Sequence, residues 1–255
     1  MPDGFGATLK DWRTRRRMSQ LDLALVANVS ARHLSFLETG RARPSRGMVL
    51  TLCRELAVPR AARNRMLSAA GHAPIYGERP LEAAEMAPVR AAVDWMLDRH
   101  APYPAFALDR HWHLVALNGP ATALLGAVGI EAGESLAEAL AQNARLRAAI
   151  ENLDEVLAVV ASRIRTESAH YGGDPELERV AARLSVGLPP AAPDAPPLPP
   201  FVATRLQAGG ERFSLLSTIA QFGGAEDIAL ADLRVEMLFP ADAATRDTLA
   251  RLAGP

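Results

Sequence analysis

The sequence predicts an all-α N-terminal domain of five short helices, followed by an α+β domain built on an antiparallel sheet. Three observations carry this reading. Through the first 70 residues apolar side chains recur at helical spacing between capping residues. Residues 73–88 (APIYGERPLEAAEMAP) then bring three prolines and no period, as a linker does. Beyond them, short alternating stretches with turn signals mix with helical ones. The expected division is a domain at 1–72, a linker at 73–88 and a second domain at 89–255.

The first helix carries Leu9, Trp12 and Arg16 on one face and ends near Arg17. Ser19 caps a second helix running to Ala27, with Leu21, Ala24 and Leu25 expected as its apolar stripe. Ser30 caps a third from Ala31 to Thr39, with Leu34 and Leu37 inward, and Gly40 stops it. Ser45 caps a fourth with Met48, Val49, Leu52 and Leu56 inward. A fifth follows Pro59, turns Met66 and Leu67 inward and closes at Gly71.

In the second domain, Val89, Ala92, Val93, Met96 and Leu97 share a helix face. PAFALD and HLVALN read as short strands around a tight connection, Asp109 to Trp112. A helix is expected over Ala121 to Ala127, and residues 134–185 are mostly helical with a break at Gly172 to Pro175. Residues 187–200 crowd seven prolines and read as an extended loop. VATRLQ and RFSLLSTIAQF form a hairpin through Ala208-Gly209-Gly210-Glu211. LRVEMLF is a further strand, and Ala241 to Leu252 a closing helix.

Charge is divided unevenly. Residues 1–72 hold 13 Lys+Arg against 5 Asp+Glu, whereas the remainder holds 15 against 24. A basic head on an acidic body is expected when only the head meets a polyanion. The one cysteine, Cys53, lies on an apolar helical stripe and reads as core in a reducing compartment. No apolar run approaches the roughly 20 residues of a membrane span, and MPDGFGATLKDW lacks the apolar core of a signal peptide. The expectation is a soluble cytoplasmic protein without membrane contact.

An enzyme is disfavoured. The sequence holds no glycine-rich phosphate loop, no metal-spaced Cys/His cluster and no nucleophile elbow. His111 and His113 would share a strand face, as metal ligands can, but no third ligand accompanies them. No catalytic residue, metal site or cofactor is expected.

The strongest local signal is SQLDLALVANVSARHLSFLETGR, Ser19 to Arg41. A helix-turn-helix needs a bracing helix, a tight turn and a second helix for the major groove. Ala24 is small where two helices cross, Asn28 suits a turn of positive φ, Val29 plugs the angle and Ser30 caps the second helix. The stretch resembles the DNA-binding domain of the XRE family, which includes the lambda-type repressors. The residues that carry the likeness are Ser19-Gln20, Leu23-Ala24, Asn28-Val29-Ser30, Leu34 and Glu38-Thr39-Gly40, with Asn28 replacing the usual glycine. The resemblance covers residues 6–71.

That resemblance implies that Gln20 anchors a phosphate and the recognition helix, which Ser30 caps. Ala31, Arg32, Ser35 and Phe36 would lie on the exposed face of that helix. Arg32 is suited to a bidentate pair with guanine, and Ala31 and Phe36 to a thymine methyl. His33, Thr39, Arg41, Arg43 and Arg46 would meet phosphates, which set register rather than sequence. The run Arg13, Arg15, Arg16 and Arg17 reads as general electrostatics.

The second domain has its own likeness. PYPAFALDRHWHLVALN (102–118) and GGERFSLLSTIAQFGGAEDIALADLRVEMLFPADAAT (209–245) are similar to MmyB-like ligand-binding domains, which follow XRE domains in many bacterial regulators. One stretch departs: QNARLRAAIENLDEV, 142–156, keeps Asn143 but lacks a His-Pro-Gly element usual there. The resemblance implies a PAS-like sheet with a pocket for a small apolar, fatty-acid-like ligand.

Alternation proposes the pocket residues. Phe106 and Leu108 share one strand face, Leu114 and Ala116 another, and Phe213, Leu215 and Ser217 a third. Trp95, Trp112, Met237 and Phe239 are further large apolar candidates. Asp109, Trp112 and Asn118 are also suited to building the strand connection and a helix cap.

The expected function is a sequence-specific DNA-binding transcription regulator, a homodimer on a palindromic operator in duplex DNA, controlled by an apolar ligand. The acidic domain is expected to hold the dimer, since the head reads as lacking a spare apolar face. The alternative is a regulator whose second domain only dimerises or binds a protein, as an antitoxin or adaptor does.

Overall fold

The computed structural model describes residues 4–188 and 201–252. The seven prolines expected to form an extended loop lie outside the described residues. The chain divides into two compact units, Met1–Gly77 with Ser168–Asp174, and Glu78–Glu167 with Pro175–Pro255.

Among the described residues the first unit holds α1 (Phe5–Arg15), α2 (Gln20–Val26), α3 (Ala31–Glu38), α4 (Arg46–Glu55) and α5 (Arg60–Ala69). Local chemistry sets these boundaries. The Ser19 hydroxyl accepts from the Asp22 amide while the Asp22 carboxylate accepts from the Ser19 amide, a reciprocal cap. The Ser30 and Ser45 hydroxyls accept from the amides of His33 and Met48. Asn28 turns the chain at φ 54°. A Cβ on Gly6 would lie 2.5 Å from the carbonyl oxygens of Leu37 and Glu38, so only glycine lets α1 cross the end of α3. Leu9, Trp12, Leu34, Leu37, Leu52, Cys53 and Met66 fill the core.

Helix α2 differs from its expected stripe. Leu23, Ala24 and Ala27 are buried, whereas Leu21 and Leu25 are 59% and 69% exposed and Val26 is exposed beside them. Leu21/Leu25 and Leu23/Ala27 are both i,i+4 pairs, on different sides of a seven-residue helix. Spacing does not say which pair faces the core. The head therefore does carry a spare apolar face.

Residues beyond His72 bond back onto the first unit. Asn64 donates to the Tyr76 carbonyl and accepts from the amides of Ile75 and Tyr76.

In chain order the second unit holds α6 (Ala87–Arg99), β1 (Ala105–Leu108), β2 (Leu114–Leu117), α7 (Gly119–Ala127), α8 (Leu136–Gln142), α9 (Ala144–Ala149) and α10 (Leu153–His170) as far as Glu167. It continues with α11 (Pro175–Leu184), β3 (Thr204–Ala208), β4 (Glu211–Gln221), α12 (Ile228–Asp232), β5 (Arg234–Pro240) and α13 (Ala243–Leu252). Among the described residues the strands form one sheet in the order β2-β1-β5-β4-β3, every neighbour antiparallel. This is the PAS-like α+β layout the sequence predicts. Gly209 and Gly210 both adopt positive φ between β3 and β4, as a two-residue hairpin of this twist requires.

Helices pack on both faces of the sheet, leaving Ser217, Thr218 and Ile219 of β4 exposed. On one, Ala105, Ala107 and Val235 pack against Val93 and Leu97 of α6. The other carries Phe106 of β1 paired with Glu236 of β5, and Ser217 of β4 paired with Leu238 of β5, with Leu215 two residues from Ser217 on β4, and faces α7 to α10. Asn118 starts α7 with its side chain accepting from the amides of Ala105 and Ala121 and donating to the carbonyls of Leu97 and Tyr103.

Candidate DNA interface and ligand cavity

Helix α3 sinks Leu34 and Leu37 into the core and leaves its other sides outward. Arg32 is exposed; Ala31, His33, Ser35 and Phe36 are half-buried. The Arg32 guanidinium lies 5.4 Å from the centre of the Phe36 ring, one turn along, so ring and charge form a single projecting unit. Thr39, Arg41, Arg43 and Arg46 are exposed just beyond the helix, while the Thr39 hydroxyl donates to the Ser35 carbonyl at 2.8 Å.

Glu38 ties this helix down. Arg13 donates from Nε at 2.6 Å and from Nη2 at 3.0 Å to its two carboxylate oxygens, and Gln20 Nε2 donates at 2.7 Å. Burial pushes the Glu38 carboxyl up, but the hydrogen bonds from Arg13 and Gln20 and the Arg13 charge outweigh it and hold the group below the usual carboxylate range. Gln20 thus links α2 to the end of α3. The basic run of α1 is partly structural: Arg16 donates to the carbonyls of Leu56 and Ala57, and Arg15 pairs with Asp11. Sequence spacing could not show these partners, which lie up to 41 residues away.

The second unit holds a partly open cavity of about 190 Å³ between the sheet and its helices. Phe106, Trp112, Leu215 and Ser217 line it from the sheet side, and Leu124, Leu140, Leu146, Ile150 and Val160 from the helices. The departing stretch 142–156 builds part of this wall. Asn143 accepts from the amides of Arg145 and Leu146, which starts α9 and presents Leu146 to the cavity.

Other expected pocket residues lie elsewhere. Leu108 and Leu114 are fully buried in packed core rather than on the cavity wall. Phe213 lines a separate groove with Pro102, Pro120 and Leu249. Met237 packs on the α6 side of the sheet, and Phe239 sits against His100 at 4.7 Å between ring centres. Trp95 is 62% exposed on α6, with Arg99 over its ring.

The misplacement on β5 has a physical cause. Alternation in RVEMLFP sends Val235, Met237 and Phe239 one way and Arg234, Glu236 and Leu238 the other. The usual assumption turns the charged set to water, but helices pack on both faces beside β1 and β5, and Arg234 and Glu236 are buried.

That inward set forms a network. Arg163 of α10 contacts Glu236 at 2.5 Å and donates from Nε to Glu167 at 3.0 Å. Arg234 pairs with Glu167, and the Ser217 hydroxyl donates to Glu236 at 3.0 Å. Trp112, at φ 68°, donates its indole N–H to Glu167 at 2.9 Å and has both guanidiniums within 5.1 Å of its ring centre. Burial pulls the Arg163 guanidinium down, but Glu236 and Glu167 together hold it above its usual value. Arg163 and Glu236 face the cavity and were not among the sequence-derived candidates.

His111 and His113 sit in the β1–β2 connection with ring centres 6.4 Å apart. Asp109 organises that connection, accepting from the amides of His111 and His113. Among the described residues no group of three or more His, Cys, Asp or Glu is arranged to hold a metal ion. No helix there is long and apolar enough to cross a membrane.

Residues 89–252, more than half of the chain, match the family model of the MmyB-like transcription regulator ligand binding domain. The chain belongs to this MmyB-like family. Residues 5–66 match a helix-turn-helix domain model. No curated protein matches the chain. A helix-turn-helix domain joined to an MmyB-like ligand-binding domain makes this chain a DNA-binding transcription regulator.

Proposed function

We propose that the protein binds a palindromic operator as a homodimer, through α3 and its flanking arginines, and that a small apolar ligand with a fatty-acid-like chain tunes that binding. The observation that carries the reading is the cavity of about 190 Å³, walled mainly by leucine, isoleucine and valine, in the domain that matches a ligand-binding family. Apolar concave sites with a few convergent polar groups are the usual form of small-molecule sites. On the DNA side, Arg32 supplies base contact, and Arg41, Arg43 and Arg46 supply phosphate contact.

One helix-turn-helix reads few base pairs, so two copies supply useful specificity, on half-sites about one helical turn apart. The exposed Leu21, Leu25 and Val26, together with Trp95, give both units apolar surface for a second copy. The ligand acts by binding one dimer arrangement more tightly than another, and changes operator affinity only by that difference, typically about 1–3 kcal/mol.

The test has two parts. Selection of bound duplexes from a random pool should return a two-fold symmetric site. Anisotropy on that site should shift when a medium-chain apolar compound is added. A protein that selects no sequence, or stays monomeric on its site, overturns the reading.

A further inference from the structure

Taking the cavity as the ligand site, as proposed above, its charge arrangement constrains the ligand's head. We infer that the cavity takes an uncharged amphiphile: a short alkyl chain ending in a neutral group that both donates and accepts hydrogen bonds, seated against Arg163, Glu236 and Ser217.

The size argument comes first. A cavity near 150 Å³ holds a guest the size of benzene, so this one takes about six to eight carbons. Most of its wall is aliphatic and binds the chain without direction. Polarity enters through Arg163, Thr204, Ser217, Glu236 and the flank of Trp112.

The charges in that patch balance. Arg163 and Arg234 carry two positive charges, Glu167 and Glu236 two negative ones, and each is paired within the set. Glu236 and Arg234 are almost wholly buried. A ligand carboxylate would bring a third negative charge. It would lie beside Glu236, or take Arg163 and leave Glu236 without its partner. Either way a buried charge goes uncompensated, which is strongly unfavourable. An ammonium head meets the mirror problem at Arg163.

A neutral amide or hydroxyl head avoids both. Its oxygen accepts from the Arg163 guanidinium, which carries five donors, and its N–H or O–H donates to Glu236, whose carboxylate only accepts. Ser217 stands beside Glu236 and serves as donor or acceptor.

The experiment measures binding to the full-length protein, by calorimetry at pH 7.5, of four probes with the same chain: octanamide, octan-1-ol, sodium octanoate and octylammonium chloride. Octanamide and octan-1-ol should bind at least about tenfold more tightly than either charged probe. Glu236→Gln removes one negative charge at nearly constant shape, and should shift the preference about tenfold toward octanoate.

Octanoate binding the native protein as tightly as octanamide would overturn the inference and leave the cavity standing as a ligand site. Binding by none of the four would overturn both the inference and that reading. A native preference for octanamide that Glu236→Gln leaves unchanged would remove Glu236 from the head site and overturn the assignment. Should Glu236→Gln fail to fold, the native series still decides.

Discussion

Arg13 on the first helix grips Glu38 at the end of the recognition helix through two contacts, at 2.6 and 3.0 Å. Gln20 opens the second helix and donates to the same carboxylate. Three helices thus meet on one side chain that is 2% exposed. Glu38→Gln places an amide N–H among donors that it cannot satisfy. The loss at pH 7 should be about 2–3 kcal/mol of stability.

The pH dependence has a definite sign. The folded Glu38 carboxyl is held below its unfolded value. Its contribution is therefore present above about pH 4.3 and is lost as pH falls through the folded value. Urea unfolding at pH 7 and at pH 3 should show the gap between native and Glu38→Gln protein closing at the lower pH. An unchanged gap would show that the carboxylate charge is not what holds the helices.

Arg32 and Arg43 should differ in the kind of loss they cause. Arg32 projects from α3 over Phe36. Arg32→Ala should weaken the selected operator by about 1–3 kcal/mol and relax preference at one base pair. Phe36→Ala should do part of the same by freeing the guanidinium. Arg43→Ala should weaken selected and random duplexes alike and flatten the salt dependence by one phosphate contact. Anisotropy titrations at several salt concentrations separate the two patterns.

Local features were legible in the sequence and distant ones were not. Ser19, Ser30 and Ser45 cap helices because the chemistry of a cap lies within three residues. Asn28 marks its turn, and Gly209-Gly210 its hairpin, for the same reason. The family-like motifs gave both domains and the sheet. The face of α2 was not legible, because two apolar pairs compete on one short helix and only tertiary packing chooses between them. The cavity wall was legible only in part. Phe106, Trp112 and Leu215 come from strands and their connection, where alternation helps, but Leu140, Leu146 and Ile150 come from an Ala- and Leu-rich helical stretch with no distinguishing signal. Glu236 on a strand and Arg163 on a helix both read as solvent-facing until the pairing across 73 positions is known.

Cys53 should be chemically silent in the native protein. It is fully buried, its sulfur lies 3.6 Å from that of Met66, and burial pushes the thiol up to about 12. The thiolate is the reactive form, so a disulfide reagent at pH 8 should give no labelling on the scale of minutes. Full labelling should follow on adding urea. Fast labelling of the native protein would mean that the core of the first unit opens readily.

The cavity itself can be tested by filling it. Val160 lies on the wall contributed by α10. In a solid core a larger side chain forces its neighbours off their rotamers, at about 1–3 kcal/mol. Val93 on α6 is such a position, 1% exposed and packed against the opposite sheet face. Val93→Phe should therefore destabilise by that amount. Val160→Phe has empty space to enter and should change stability by less than about 1 kcal/mol. It should also abolish binding of the eight-carbon probes and any response of operator affinity to them, while leaving operator affinity without ligand within about twofold of native. The two substitutions make the same chemical change, so the contrast between them isolates the space. Equal destabilisation by both would mean that the sheet is packed solid on both sides, and that the second unit influences DNA binding by some route other than a bound small molecule.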